Sequence, residues 1–407
     1  MRKIDILLFL FLITVGSFIR FYNVDHVLPY GWDQTRDAFQ VKSILAGNFT
    51  LEGPRTGVGH FHLGPLWFYL LVPFFYFTNL DPIASQHLNI LICTITFGVL
   101  FYVTKKLFSP RLALLILGMY AFNNYMINLN IVPWNVSLMP LLSILIFYFT
   151  YKTFQEKKFM WSIALFTSCG IAFHAHFSAI VFPLMLSILW LLNKDKREIF
   201  LLLIKSLPFY LVWFIPIIFA YITTNYSDYH RMQDFLKNYF VGFHLKFLLH
   251  RLPDFFVQFR LLLTLPIFVG YLILAGNFLL YFKTSKTHKL YLKIFFSWML
   301  SFILIFGAYG GQISEYYFLF TLPVVYYSFL VLLQRLFSIQ NKMIPSLLLL
   351  CFISYYMYQN IQTYTDHKEK KGLAEQRESV RERIKKGKKI PYKDGTIEHY
   401  FYLLYKN

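Results

Sequence analysis

Long apolar runs such as Asp5–Phe21, Phe200–Tyr221 and Ile344–Tyr358 recur along the chain and are broken by short polar stretches. They approach or reach the ~20 residues an α-helix needs to cross a bilayer. Candidate spans fall at 4–21, 66–79, 84–104, 111–128, 135–151, 160–175, 177–193, 200–222, 261–282, 290–310, 316–334 and 344–361. The stretch 66–79 is short and interrupted by Pro73, which fits an interfacial or re-entrant piece rather than a full crossing. The expected fold class is an all-α polytopic membrane protein, with about 11–13 transmembrane helices and a first outer loop carrying juxtamembrane helices.

Composition removes the alternatives. Of 407 residues, 57% are hydrophobic and 14% charged, against about 25% charged in a soluble domain. A soluble enzyme, a fibre and a disordered chain are excluded. The net charge of +19 does not mark a nucleic-acid binder, because the basic residues are not gathered into one patch interleaved with aromatics. They occupy the loops Lys105/Lys106/Arg111, Lys152/Lys157/Lys158, Lys194/Lys196/Arg197, Lys283/Lys286/Lys289 and Arg335/Lys342. Each loop is two spans from the next, so all share one side, cytoplasmic by the positive-inside rule. With Arg2 and Lys3 also inside, treating 66–79 as non-crossing leaves about eleven spans and an outer C-terminus. The N-terminal run lacks a small-residue cleavage site and reads as a retained signal anchor ending at Arg20-Phe21-Tyr22. Cys93, Cys169 and Cys351 lie within apolar spans without C-x-x-C spacing and read as buried small hydrophobes.

The chain thus divides into a transmembrane domain, 1–361, and a polar basic tail, 362–407. The outer side receives a first loop, 22–65, and a second large loop, 223–260. The tail, from Asp366 to Lys393, reads as a solvated or headgroup-associated helix.

Chemistry gathers on the outer side. A helix starting near Trp32 would put Asp33 and Asp37 on one face with Arg36 beside them. The alternative is that either carboxylate merely caps that helix and pairs with Arg36. Arg55, His60 and His62 follow in the same loop. From distant parts of the chain come Trp134-Asn135, His174-Ala175-His176 and Glu315-Tyr316-Tyr317. Taken singly, each histidine reads as an interfacial hydrogen-bonding residue and Trp134 as an aromatic-belt anchor. Together they describe an ionisable pocket at the membrane surface. No P-loop, no GxGxxG after a strand and no H-E-x-x-H occurs. Few ionisable residues sit at mid-depth, which argues against an ion-coupled transporter and for a lipid-borne substrate anchored by phosphate.

The order of Asp33-Gln34-Thr35-Arg36-Asp37, Gly64-Pro65-Leu66-Trp67-Phe68-Tyr69, Lys105-Lys106-Leu107-Phe108-Ser109-Pro110-Arg111 and Glu315-Tyr316-Tyr317-Phe318-Leu319-Phe320-Thr321-Leu322-Pro323 resembles the GT-C superfamily of polyprenyl-phosphate-dependent glycosyltransferases. The resemblance is nearest to protein O-mannosyltransferases and aminoarabinose transferases (family 39-like), strong over the first 110 residues and loose after. It implies sugar transfer at the outer membrane face from a polyprenyl-phosphate donor to a protein, lipid or cell-envelope glycan. Asp33 would then be the catalytic acid, acting as general base or orienting the acceptor, with Asp37 second. Arg36, Arg55, His60 and His62 would bind the donor phosphate. Trp32, Trp134, Asn135, His174, His176, Glu315, Tyr316 and Tyr317 would contact substrate. Many relatives carry Asp-Glu where this chain has Asp33-Gln34, which removes one potential metal ligand. A divalent ion held by Asp33 and His62 stays open. Two rivals remain: a lipid-linked glycan flippase or transporter, and a membrane glycan polymerase or ligase using the arginines of 223–260.

Overall fold

The computed structural model of the chain describes residues 2–27, 30–240, 242–283, 286–338, 343–365, 372–388, 390 and 396–405. Within them the architecture is helical, and the β pairings are two isolated bridges, Arg55 with His62 and Phe240 with Tyr309. The first apolar run forms α1 (Lys3–Phe21), and the first loop carries α2 (Val24–Val27) and α3 (Trp32–Leu45). The middle of the chain forms α4 (Leu66–Phe77), α5 (Ala84–Leu107), α6 (Pro110–Phe122), α7 (Asn124–Ile131), α8 (Met139–Glu156), α9 (Phe159–Ala175) and α10 (Val181–Leu191). One apolar stretch is built from α11 (Lys196–Ser206), α12 (Pro208–Leu211) and α13 (Ile215–Thr223), after which come α14 (Ser227–Tyr239) and α15 (Leu245–Leu263). The remainder is α16 (Ile267–Lys283), α17 (Lys286–Gly307), α18 (Leu322–Leu336), α19 (Met343–Thr365), α20 (Leu373–Lys385) and α21 (Ile397–Tyr405).

Seven helices or helix groups are long and apolar enough to cross a membrane, and two bent pairs bring the number to nine. The breaks have local causes. At Asn123 the side chain accepts a hydrogen bond from Met126 N–H, which caps α7 and turns it 61° from α6. At Thr264 the backbone enters the left-handed region with φ 56°, Pro266 follows, and α15 meets α16 at 100°. Shorter apolar helices, α9 and the stretch that includes α10 among them, come in addition.

The two faces are defined by contacts between distant segments. On one, Lys157 pairs with Asp195 and Glu198 at 2.8 and 2.6 Å, Lys293 donates to the Leu192 carbonyl, and Tyr291 donates to the Leu107 carbonyl. This basic face holds the expected basic loops; Lys342 lies outside the described residues. On the opposite face His62 meets Asp228, Arg251 meets the Gly311 carbonyl, and Asn135 meets the Ala175 carbonyl.

Both ends of α4 lie on that second face. Trp67 near its start bonds Asp37, and Leu80 and Asp81 just past its end bond Tyr400 and Arg377. At 12 residues the helix is about 18 Å long, short of the ~30 Å hydrocarbon core. It begins and ends on the same face.

The structure corrects three expectations. Cys93 and Cys169 are buried as expected, but Cys351 is exposed on α19. The 223–260 stretch is no open loop: it forms α14 and most of α15, with Phe235, Phe255, Phe256 and Phe259 buried. The tail is not a solvated helix either. Its helices α20 and α21 pack on α2 and α3 through buried Leu373, Val380, Ile397, Tyr400 and Phe401. Arg377 reaches Asp25 and Asp81 at 3.1 and 2.9 Å, and His26 meets Glu375 at 2.7 Å. Residues 366–371 and 391–395 of that tail lie outside the described residues.

One buried cation holds the second face together. Arg20, 1% exposed, donates to Asn130 Oδ1 and to the carbonyls of Gly16, Ala121 and Tyr120. These acceptors come from both sides of the α6–α7 break, so the guanidinium fastens α1 to the bend.

Candidate active site

The first loop builds the site from two pieces. Residues 53–63 fold back on themselves: Gly53 N–H donates to Leu63, Leu63 N–H to Pro54 and Thr56 N–H to Phe61, at 2.8, 3.0 and 2.9 Å. Gly59 and His60 carry the turn with φ of 81° and 57°. Two glycines allow its seating. A Cβ on Gly53 would lie 2.0 Å from the Gly64 carbonyl oxygen, and one on Gly64 would lie 2.1 Å from the His174 ring.

The second piece is α3. Gly31 N–H donates to Gln34 Oε1 at 3.0 Å, capping the helix, while Gln34 Nε2 donates to the Pro133 carbonyl at 3.2 Å. An amide can do both and a carboxylate cannot. This explains locally why the chain reads Asp33-Gln34 here: the side chain is a buried strut between α3 and the segment before Trp134.

Asp33 and Asp37 do share one face of α3 with Arg36, as the spacing predicts, but they end in different environments. Arg36 donates to Asp33 Oδ1 at 2.8 Å and to Asp37 Oδ1 at 2.6 and 2.9 Å. Asp37 Oδ2 accepts from the Trp67 indole at 2.7 Å. The Asp33 side chain is 44% exposed and the Asp37 side chain 2%. Burial pushes the Asp37 carboxyl up from its ordinary value against the pull of Arg36.

A cavity of about 370 Å³ lies between these pieces and the bundle, and Asp33, Arg55 and His60 reach it together with Trp32, Trp134, Asn135, His176, Tyr316 and Tyr317. Among the described residues Asp33 is its sole carboxylate and Arg55 its sole arginine or lysine. Arg55 Nε donates to the His60 carbonyl at 3.1 Å, which aims the guanidinium along the turn. The aromatic wall is continuous: the Trp134 and Tyr316 rings are 4.7 Å apart, Tyr316 and Tyr317 4.9 Å, and Tyr317 and His176 4.9 Å. Ser178 N–H donates to His176 Nδ1 at 3.1 Å, which leaves the ring proton on Nε2. Burial pushes that ring down to about 4, so it is neutral. Asn135 donates from Nδ2 to the Ala175 carbonyl at 2.6 Å.

Five residues expected at the site are placed elsewhere. Asp37 is sealed by Arg36 and Trp67 and does not line the cavity. Arg36 is committed to the two carboxylates and stacked 5.3 Å from the Trp32 ring, so it braces Asp33 and is not free for phosphate. His174 lies beneath Gly64 and donates from Nε2 to the Trp213 carbonyl at 2.6 Å. The Glu315 side chain is outside the lining; its carbonyl accepts from Gln258. His62 turns to Asp228, which accepts from the His62 N–H and ring at 2.9 and 2.8 Å and from Arg231 at 2.9 Å.

Asp228 is the positioning residue that the sequence did not reveal. Burial opposes its ionisation, but the hydrogen bonds from His62 and Arg231 hold its carboxyl below the ordinary value. Glu52, His62 and Asp228 offer ligand atoms within 4.8 Å of one another, and Asp33 is not among them. Both Asp228 oxygens accept hydrogen bonds from His62 and Arg231, so in this arrangement the trio is joined as a hydrogen-bonded brace.

Neither the family models nor the curated proteins compared by sequence give a match. Solved structures do. ArnT from Cupriavidus metallidurans bound to undecaprenyl phosphate superposes with TM-score 0.57 at 14% identity, covering 80% of this chain and 60% of that one. The archaeal oligosaccharyltransferase AglB from Archaeoglobus fulgidus, with an inhibitory peptide and a dolichol-phosphate, gives 0.61 at 11% identity over 99% and 60%. Its apo form gives 0.62 at 11% identity over 98% and 60%. The chain shares its fold with these structures. The chain spans about 60% of the length of these neighbours. Within this fold the helix carrying Asp33 follows α1 and the short α2, and its neighbour Gln34 ties it to the segment just past α7.

Proposed function

We propose that this integral membrane protein transfers a sugar from a polyprenyl-phosphate carrier to an acceptor on a protein, a lipid or a cell-envelope glycan. The reaction takes place at the face opposite the basic loops, which the positive-inside rule makes the outer face. The observation that carries this reading is that one carboxylate, Asp33, and one guanidinium, Arg55, line a single cavity. The acceptor hydroxyl attacks the anomeric carbon, the bond from that carbon to the carrier phosphate breaks, and the hydroxyl proton passes to Asp33. Arg55 stabilises the phosphate that leaves. Trp134, Tyr316 and Tyr317 give the sugar ring a face to stack on, and His176 offers a neutral Nε2–H donor. Arg36 keeps Asp33 in place. The polyprenyl-phosphate ligands of ArnT and AglB support the donor class. A transporter reading lacks comparable support, since neither neighbour with a polyprenyl-type phosphate is a transporter by its description.

The test is release of label from polyprenyl-phosphate-linked radiolabelled sugars by purified protein, wild type beside Asp33→Asn. Release that falls at least a hundredfold in the variant, with unchanged thermal stability, supports the assignment. Equal release by both removes Asp33 from the chemistry. Movement of intact lipid-linked sugar between leaflets would favour transport.

A further inference from the structure

A second and larger cavity, about 1230 Å³, opens at the basic face between α1, α6, α18 and α19. Arg2, Arg111 and Arg335 stand at its basic end, and Leu12, Phe122 and Met357 at its far end. From Arg111 to Phe122 the wall of α6 runs 11 residues, about 16 Å at 1.5 Å per residue, the depth of one leaflet of a ~30 Å hydrocarbon core. Tyr356 closes the floor, donating to the Met119 carbonyl at 2.7 Å. Gly118 opens the wall: a Cβ there would have Leu12 as its neighbour, no nearer than 3.8 Å.

The charge is as uneven as the shape. Asp5 is the one carboxylate of the lining among the described residues and is engaged by Arg2 at 3.3 Å. Arg111 and Arg335 form no ion pair among the described residues. Two free guanidiniums above an apolar slot one leaflet deep are complementary to one kind of molecule. We propose that this cavity binds an anionic glycerophospholipid of the leaflet on the basic face, its phosphate between Arg111 and Arg335 and an acyl chain along α6. The site is distinct from the Asp33 cavity, which lies on the other face. Just 17% of the apolar window of α19 is buried against the protein, so a bound lipid would supply much of that helix's packing.

The full-length protein reconstituted in phosphatidylcholine is probed by electron paramagnetic resonance with spin-labelled phosphatidylglycerol and spin-labelled phosphatidylcholine. Wild type should immobilise the anionic label about fivefold better than the zwitterionic one. The double variant Arg111→Gln/Arg335→Gln should bring that ratio below about two. The double variant Lys105→Gln/Lys106→Gln, which removes equal charge from the same face away from the cavity, should keep it. Gly118→Leu, which fills the slot with the arginines intact, should also lose the preference. Thermal midpoints of all variants establish that each is folded. Retention of the preference in the arginine variant, or equal loss in the lysine variant, overturns the proposal in favour of general attraction to a basic surface.

Discussion

Asp228 Oδ2 accepts from both the backbone N–H and the ring of His62, so α14 and the 53–63 turn are pinned at one residue. Asp228→Ala leaves the partly buried His62 N–H and the half-exposed Arg231 without their acceptor. The expected cost is about 2 kcal/mol, read as a lower thermal midpoint in detergent, with sugar transfer reduced because Arg55 and His60 ride on the same turn. The pH dependence has a definite sign. The folded carboxyl titrates below its ordinary value, so its contribution is present above about pH 4 and disappears as pH falls through the lower folded value. The gap between wild-type and variant midpoints should be flat from about pH 8 to 5 and narrow below about 4. A gap that widens on acidification would contradict this.

The two carboxylates of α3 should separate cleanly by mutation. Asp33→Asn is expected to remove transfer while leaving stability within about 0.5 kcal/mol of wild type. Asp37→Asn loses the charge that buries Arg36 and should cost about 1–3 kcal/mol, with residual activity in the fraction that stays folded. Calorimetry beside the label-release assay reads both. Equal loss of activity with equal stability in the two variants would show that both act on substrate.

Gln34→Glu keeps the size of the side chain and reverses one hydrogen bond. The new carboxylate faces the Pro133 carbonyl, acceptor against acceptor, in a residue that is 5% exposed. Expected are a loss of about 1–3 kcal/mol and reduced transfer, unaffected by chelator or added divalent ion. Rescue of the variant by a divalent cation would show that this position supports a metal after all.

Gly64→Ala tests how the turn is seated. The added methyl would meet the His174 ring at 2.1 Å, so the turn or the ring must move, at a cost of about 1–3 kcal/mol. His174→Ala should relieve the clash, and a double-mutant cycle should give a coupling of at least about 1 kcal/mol. Additive effects would place the ring elsewhere.

Much of this was legible in the sequence. Long apolar runs and the short Pro73-containing run gave the helical membrane architecture and a helix too short to span, because bilayer thickness acts on composition alone. Asp33, Arg55, Trp134, His176, Tyr316 and Tyr317 could be read as convergent because each sits at the same end of a span. What the pattern could not give was the direction of side chains. Asp37, one helical turn from Asp33, faces Trp67 instead of the cavity, and His174 and His176 diverge because the chain leaves α9 between them. Asp228 went unseen because 223–260 has no long apolar run. Its signal was amphipathic: Met232, Phe235 and Tyr239 at helical spacing, with Asp228 and Arg231 three apart. The tail's packing was hidden the same way, under its lysines and arginines.

The contacts of His26 with Glu375 and of Arg377 with Asp25 span 349 and 352 positions in sequence. They tie the two extremities of the fold into a non-covalent ring around everything between. Contacts that distant form late, so α3 gains the support of α20 and α21 only after α19 has brought the chain back across the membrane. A partly inserted molecule would carry Asp33 on an unsupported helix. The ring therefore couples the footing of α3, and with it Asp33, to helices far along the sequence.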